Sequence, residues 1–419
     1  MDEMENQSPP HSFWTSGDYS EECVEMMKSF IEYMRNTTNE TRRGEHSGRI
    51  NLSSNWTDSI IYHDVLLPHW REFVDALNQY HHWLDLLADN DATCFEIEDL
   101  QLPKTVLDML AIALKPNHFR SLKFQNNMMG HDGISFLIDI IPNNPHLKKL
   151  EYHYNEVDNA DDVDQLSNVV ANHPSLTDID FQGCRGSLRG FDFMKTLVTG
   201  CGAKVLRINL SCCDILTMGG DTFLSDFLTT NPCLEWLGLD GNHLDDIDAI
   251  FIATSLKFNT NLKFLSLMQN SITDSGGVAL KKAVCDSSSL HAAAASNHIC
   301  EVVFDINDGS IYLDDHEIVI LNHHGHPGGS VGHRGGKLYS IVSSRNRECS
   351  NVQHLDDGFP PEAIPNLLGS IQIYAQHFQG DFSNQGVDPI RPLSIVYEIM
   401  RGWKIPLLYE YTRHSSSTK

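Results

Sequence analysis

The chain has 419 residues, 41% of them hydrophobic, which is enough for one long solenoid or for roughly two to three compact domains. Its 56 acidic and 30 basic residues give a formal net charge of −26. This acidic excess argues against general binding to nucleic acid or to anionic membranes, because both require basic patches.

The sequence also lacks the usual targeting segments. Residues 1–14 are acidic and polar and contain neither the basic nor the apolar region of a signal peptide. No run of about eighteen apolar residues follows that would span a membrane. The ten cysteines form no compact disulfide framework and no C-x-x-C pair, which fits reduced thiols. We therefore expect a cytoplasmic protein without a membrane anchor.

The first 58 residues are predicted to be a polar segment with one helix. Residues 1–18 are polar and contain prolines, which favours disorder. Residues 20–35 carry an apolar stripe at helical spacing, with Ser20 as the predicted N-cap. Residues 36–58 are rich in Asn, Thr, Arg, Gly and Ser, and we interpret them as a linker.

Residues 59–118 are predicted to form an N-terminal cap and an irregular first repeat. The stretch 60–88 is apolar and aromatic, with Trp70, Phe73 and Trp83 at helical spacing. The ends of a solenoid need such a cap, with one buried and one polar face. Residues 93–97 then resemble a degenerate strand, and a predicted helix over 106–114 completes the unit.

Residues 119–300 repeat one template, L-x-x-L-x-L-x-x-N-x-L. Successive copies begin 28, 29, 29, 29, 28 and 28 residues apart, at Phe119, Leu147, Leu176, Val205, Leu234, Leu262 and Leu290. A fixed period of this size is typical of a solenoid. The last copy, LHAAAASNHIC, is the most degenerate.

Each position of the template has a physical interpretation. The fourth and sixth positions are apolar and lie two residues apart, so they point to the same face of a strand. The ninth position is Asn in most copies, and Cys184 and Cys213 replace it in two. A buried Asn there can hydrogen-bond the backbone of the turn that leaves the strand. Helical spacing follows each strand, and no single repeat can bury its apolar face without its neighbours.

This pattern resembles the ribonuclease-inhibitor-like class of leucine-rich repeats, which pair a parallel strand with a full helix in each unit. The resemblance implies an α/β leucine-rich repeat solenoid (a horseshoe) with a curved parallel sheet inside and helices outside. Helical caps are expected at both ends.

The repeat pattern ends at Cys300. Residues 301–348 are predicted to form a hairpin around residues 307–310 and a His- and Gly-rich insertion. Residues 349–411 are predicted to be a C-terminal helical cap, and residues 412–419 a tail. Residues 350–355, 361–372 and 393–409 resemble a C-terminal block of leucine-rich repeat proteins from unicellular algae, a similarity that implies no activity.

The sequence predicts no catalytic, metal or cofactor site. His323, His324, His326 and His333 lie close together in the sequence, and imidazoles bind transition metals. Neither a Cys pair nor an H-E-x-x-H motif accompanies them, so a solvated insertion is the better interpretation. Cys212 and Cys213 have no assignable His or Asp partner and are interpreted as structural.

The third, fifth, seventh and eighth template positions are expected to face solvent on the concave side of the sheet. Trp236, Phe264 and Met268 would form an apolar patch there, and exposed aromatic clusters are candidate hot spots for binding. His153 and Tyr154 would add amphipathic groups. Asp178, Asp180 and Asp240 would surround the patch, which suits a partner with an apolar anchor among basic residues.

The leading functional hypothesis is a non-enzymatic protein-interaction scaffold that binds a protein partner on the concave face. An alternative is a GTPase activator, because Ran-type GTPase activators share this repeat class and supply an arginine to the active site. The candidates for that arginine are Arg120, Arg185 and Arg207. The acidic tail of that family is absent from this sequence. A third possibility is a substrate receptor of a ubiquitin ligase, since residues 66–70 faintly resemble the start of an F-box.

Overall fold

The structure, a computed structural model, describes residues 21–45, 48–53, 60, 62–86, 93–115, 119–216, 219–306, 317–322, 333–334, 337–338 and 341. These residues fall into two compact units, Met1–Leu216 and Thr217–Lys419.

The first unit alternates strands and helices along the chain. After helix α1 (Glu21–Arg43), its elements are β1 (Arg49–Ser53), α2 (Leu67–Leu86), β2 (Cys94–Glu98), α3 (Lys104–Leu114), β3 (Ser121–Gln125), α4 (Gly130–Ile140), β4 (Lys149–His153), α5 (Ala160–Asn172), β5 (Asp178–Asp180), α6 (Gly190–Cys201) and β6 (Arg207–Asn209). Short 3₁₀ turns cover Asp64–Leu66 and Ile141–Asn143. Each strand pairs in parallel with the next in the sequence.

The core of this unit follows the apolar template positions. The strand register aligns the fourth position of successive repeats in one row, consisting of Ile50, Phe95, Leu122, Leu150, Ile179 and Ile208. All six side chains are buried. The sixth position forms a second buried row, and helix residues pack against it: the Phe136 ring of α4 meets Phe124 of β3 edge to face. Stacked neighbours thus bury what one repeat alone would expose.

The second unit continues the same alternation. Its elements are α7 (Phe223–Thr229), β7 (Trp236–Gly238), α8 (Asp246–Leu256), β8 (Phe264–Ser266), α9 (Asp274–Val284), α10 (Leu290–Ala294), β9 (Glu301–Ile306) and β10 (Glu317–Leu321). Strands β7, β8 and β9 are parallel, whereas β10 is antiparallel to β9. The predicted fold class, an α/β leucine-rich repeat solenoid, is confirmed.

The chain leaves each strand through one residue with a left-handed backbone. The eighth template position has a positive φ of 52° to 61° at Asn126, Tyr154, Cys212, Gly241 and Gln269, and 70° at Gly183. In most of these repeats its N–H donates to the carbonyl of the seventh position in the next repeat, as from Tyr154 to Gln182 at 2.8 Å. The eighth residue therefore turns the chain, rather than simply presenting a side chain on the sheet.

The ninth position satisfies the polar groups of that turn. The Asn155 side chain accepts a hydrogen bond from the Asn127 N–H at 2.8 Å and donates to the carbonyls of Phe124 and His153, both at 3.0 Å. Asn270 connects its own turn to the carbonyl of Leu239 in the preceding repeat. Cys184 replaces this network with one thiol contact to the Tyr152 carbonyl, at 2.8 Å.

The N-terminal region departs from its prediction. Residues 36–58 are not a linker, because α1 continues to Arg43 and β1 pairs with β2. Thr37, Thr38 and Thr41 are buried in α1, and each hydroxyl donates to the carbonyl four residues earlier. The stretch 60–88, predicted to be the cap, contains α2. This helix follows β1 in the same way as the helices of other repeats follow their strands. Helix α1 packs against both α2 and β1.

The predicted position of the seventh template copy is also wrong. Leu290 begins helix α10, because the alanines that follow favour a helix and Ser289 accepts a hydrogen bond from the Ala292 N–H as its N-cap. The next strand is β9, whose Glu301 aligns with Phe264. A repeat that begins at Ile299 instead of Leu290 places Val302 and Phe304 at the buried positions.

Several predictions concern residues outside the described part of the chain. These are the disordered segment 1–18, the C-terminal cap 349–411, the tail 412–419, and His323, His324 and His326 of the insertion. Among the described residues, no helix combines the length and the apolar character needed to cross a membrane.

We expect Asn155→Ala to lower the free energy of unfolding by about 3 kcal/mol, because it leaves buried backbone groups of two repeats without partners. Cys184→Ala is the matched control at the same template position. It removes a single thiol contact, and we expect a loss of about 1 kcal/mol. Urea unfolding of both full-length variants, followed by circular dichroism, measures the difference. Equal losses would contradict a bridging role for the asparagine.

Candidate partner-binding surface

Odd-numbered strand positions lie on the face of the sheet opposite the helices, called here the open face. Positions four and six are buried toward the helices, as shown by the contact of Phe181 with Phe193 of α6. Successive side chains of a strand alternate between faces. Positions three, five and seven therefore form the open face.

The open face of the first unit is a network of opposite charges. Its ion pairs are Arg49–Glu96 at 2.7 Å, Lys123–Glu98 at 2.5 Å, Lys149–Glu151 at 2.8 Å and Arg207–Asp178 at 3.6 Å. Each charge is largely balanced by a neighbour on the same strand or the next. Arg185 on this unit pairs with Asp214 at 3.3 Å. The arginines considered for GTPase activation, Arg185 and Arg207, thus have acidic partners.

His153 does not offer the exposed surface that its position predicts. It is only 8% exposed, because its imidazole lies against the Asp180 carboxylate of the next strand. His153 Nε2 is 3.0 Å from Asp180 Oδ1, although the contact does not have the geometry of a hydrogen bond. Burial acts to raise the pKa of Asp180, but His153, the Asn209 side chain and the Gln182 N–H outweigh it and lower this pKa.

Among the described residues of this unit, Tyr154 is an aromatic residue with an exposed side chain, at 49%. Its ring lies over Gly183 of the next repeat, where a Cβ atom would come within 2.2 Å of the ring. Gly183 also has a φ of +70°, so both the backbone and the ring require glycine there. The Tyr154 hydroxyl accepts a hydrogen bond from Gln182 Nε2 at 3.0 Å.

Trp236 and Phe264 form a stacked pair on the open face of the second unit. They are aligned in the register of β7 and β8. Their ring centroids are 5.5 Å apart and their planes differ by 5°. Both side chains are half-buried. We call this pair the aromatic platform.

The next row along these strands has minimal side chains, and the row after it pairs a carboxylate with a methionine. Gly238 and Ser266 occupy the fifth position and are buried, and Asp240 and Met268 occupy the seventh. Asp240 Oδ1 accepts hydrogen bonds from Ser266 Oγ at 2.5 Å and from the Met268 N–H at 2.7 Å. Asp240, predicted as a recognition residue, therefore also joins the ends of β7 and β8.

The predicted site residues are divided between the two units. Trp236, Phe264, Met268 and Asp240 belong to the second unit, and His153, Tyr154, Asp178 and Asp180 to the first.

A second apolar surface was not recognised in the sequence. Ile247, Ile250, Phe258 and Val278 are large, exposed side chains on or next to helices α8 and α9. The helical spacing of this region predicts that Ile250 packs against the strands, but it is 41% exposed. The available signal was the run Ile-Phe-Ile-Ala at 250–253, since a helix with consecutive apolar residues cannot bury all of them on one side.

We expect Asp240→Asn to stabilise the protein at pH 7. Burial raises the pKa of Asp240, and the nearby Asp305 adds to the effect. The ionised carboxylate therefore costs stability above its folded pKa. This cost is absent below the usual Asp pKa of about 3.9, where the group is protonated in both states. The stability difference between variant and wild type should shrink as the pH falls toward 4.

Asp246→Asn, in the same unit, is the control, and we expect it to destabilise the protein at pH 7. Burial acts to raise the pKa of Asp246, but hydrogen bonds from the Thr273 hydroxyl, the Thr273 N–H and the Gly276 N–H lower it. Its contribution is present above the usual Asp pKa and is lost as the pH falls through the folded pKa. Thermal unfolding across this pH range measures both variants. If both shift stability in the same direction at pH 7, the assignment for Asp240 is wrong.

Comparison with known proteins agrees with the repeat architecture. A family model described as Leucine Rich repeat matches residues 258–281. No curated protein matches the sequence. A chain in the crystal structure of the Rad7 and Elc1 complex in yeast is similar, with 16% identity and a TM-score of 0.32, over 66% of this chain and 71% of that chain. That similarity does not establish a shared function. The repeated strand–turn–helix units and the matched repeat together show the fold of an α/β leucine-rich repeat solenoid.

Proposed function

We propose that the chain is a non-enzymatic scaffold that binds a protein partner on its open face, centred on the aromatic platform. The observation that carries the proposal is the stacking of Trp236 on Phe264 at positions that the repeat itself does not need to bury. The buried rows of these strands are instead Leu237/Leu265 and Leu239/Leu267.

The surroundings of the platform suit an apolar anchor. Alternate residues of a strand are about 6.8 Å apart, so the Trp236–Phe264 row and the Asp240–Met268 row are separated by roughly twice that distance. The row between them consists of Gly238 and Ser266, whose side chains are minimal. A partner side chain can therefore contact the edges of the rings above this low row. Tryptophan is enriched among the residues that dominate binding energy.

Charge indicates the kind of partner. The chain has a net charge of −26. The positive charge of Lys263, beside the platform, is balanced by Glu235 at 2.6 Å. A partner with an apolar side chain flanked by basic residues is therefore favoured, mainly through faster association. Asp178 and Asp180, also predicted to contact a partner, belong to the first unit and are not part of the platform proposed here.

We also propose that the repeats belong to the ribonuclease-inhibitor-like class. Complete repeats carry an α-helix after the strand, with helices of 11 and 13 residues in α4 and α5. This helix content supports the subclass assignment. The resemblance of the C-terminal block to algal proteins remains a prediction.

We expect Trp236→Ala and Phe264→Ala each to weaken partner binding by about 2 kcal/mol or more, the usual cost at a hot spot. Each should lower the free energy of unfolding by about 1 kcal/mol, because stacking adds this much beyond burial. Phe258→Ala is the matched control, since Phe258 is an aromatic side chain of the same unit, 63% exposed, but follows α8.

The measurement is quantitative affinity purification of the three variants and the wild type. Proteins that bind through the platform should be lost with Trp236→Ala and Phe264→Ala and retained with Phe258→Ala. Thermal unfolding verifies that each variant is folded. Retention of every wild-type partner by both folded platform variants would exclude this site, and loss with Phe258→Ala alone would place binding on the helices.

A further inference from the structure

We propose that Glu151, His153 and Asp180 form a binding site for a zinc ion on the open face of strands β4 and β5. One ligand atom from each side chain lies within 4.8 Å of the other two. Two of these residues were predicted to contact a protein partner, but their arrangement indicates an ion. The inference is independent of the aromatic platform, which involves other residues in the other unit.

His153 supplies the evidence that separates this cluster from an ordinary group of surface carboxylates. The residue is more than nine-tenths buried, and its Nε2 atom, 3.0 Å from Asp180 Oδ1, makes no contact with the geometry of a hydrogen bond. A buried polar atom without a hydrogen bond costs free energy. A metal ion between the imidazole and the carboxylate would satisfy this nitrogen.

The distances suit a small ion. Zinc bonds to nitrogen and oxygen are 2.0–2.2 Å long, so the ligand atoms of a tetrahedral site are about 3.4 Å apart. His153 Nε2 and Asp180 Oδ1 are already 3.0 Å apart. Glu151 precedes His153 by two residues on the same strand, so both side chains project on the same face. Only the Glu151 carboxylate must turn to complete three protein ligands, which leaves a fourth position for water.

The chemistry of the ligands favours zinc over harder cations. Magnesium and calcium prefer oxygen ligands alone, whereas zinc accepts imidazole together with carboxylates. The carboxylate of Asp180 is also held in place, because it accepts hydrogen bonds from the Gln182 N–H at 3.1 Å and from the Asn209 side chain. Such contacts around a ligand orient it for the metal and increase affinity.

Lys149 is the competitor for this site. Its Nζ lies 2.8 Å from Glu151 Oε1, so the ammonium group neutralises the carboxylate that the ion would use. The other nearby lysine, Lys123, is paired with Glu98. A zinc ion must displace Lys149, and removal of this charge should therefore strengthen binding.

The test uses metal-free full-length chain and isothermal titration with zinc and, separately, magnesium. Because the insertion is also rich in histidine, all variants carry His323→Asn, His324→Asn and His326→Asn. We expect one equivalent of zinc to bind this background and magnesium to bind far more weakly. His153→Gln and Glu151→Gln should each weaken zinc binding about 100-fold or more, because the loss of an outer-shell partner alone costs roughly 10–100-fold. Lys149→Gln should tighten binding.

His131→Gln is the matched control. His131 Nδ1 lies 2.5 Å from Asp162 Oδ2, so this pair has the same kind of histidine–carboxylate contact. Unlike His153, the His131 side chain is 63% exposed. This variant should bind zinc normally. Cobalt substitution gives a second readout, since its visible absorption reports nitrogen and oxygen coordination and should change with His153→Gln.

Three results would overturn the proposal. They are no zinc binding in the insertion-substituted background, unchanged binding in folded Glu151→Gln, or equal weakening by His131→Gln. Circular dichroism verifies folding, and Glu151→Gln provides the decisive variant if His153→Gln does not fold, because the Glu151 side chain is only partly buried.

Discussion

The turn that leaves each strand is the constraint on which the rest of this structure depends. A parallel strand must end, reverse and continue as a helix about every 29 residues, and the backbone groups of this turn are buried between repeats. Two positions solve the problem together: a left-handed eighth residue redirects the chain, and a ninth residue hydrogen-bonds the exposed carbonyls and amides. Because Asn155 bonds to Phe124 and Asn127, each turn is also completed by its neighbour.

This arrangement leaves the open face free to vary. The fourth and sixth positions build the core and the eighth and ninth build the turn, so the third, fifth and seventh have no fixed structural role. The two units use that freedom differently. In the first, ion pairs such as Lys123–Glu98 connect neighbouring strands, and His153 lies against Asp180. In the second, Trp236 and Phe264 place an apolar surface on the same template position. Recognition of a protein and binding of an ion are therefore compatible with one repeat design.

The template predicted the fold well where its residues were intact and failed where they were not. The core rows, the parallel pairing and the asparagine bonds follow from six copies in one phase. Strand β1 was missed because only Ile50 and Leu52 mark it within a polar segment. The seventh copy was misplaced because its alanines satisfy a helix better than a strand, and the change of spacing before Ile299 hid the true repeat.

The sequence by itself determined which strand residues form the core rows and which share a face, because the periods of strand and repeat place them without any knowledge of distant contacts. It thus put Trp236 beside Phe264 at one template position. Only the tertiary structure decided how side chains of different strands meet. The near-parallel stacking of the two rings, the burial of His153 and the approach of Glu151 and Asp180 to it depend on distances across the sheet. A one-dimensional pattern does not contain those distances, since each results from side-chain rotamers selected by the packing of neighbouring repeats.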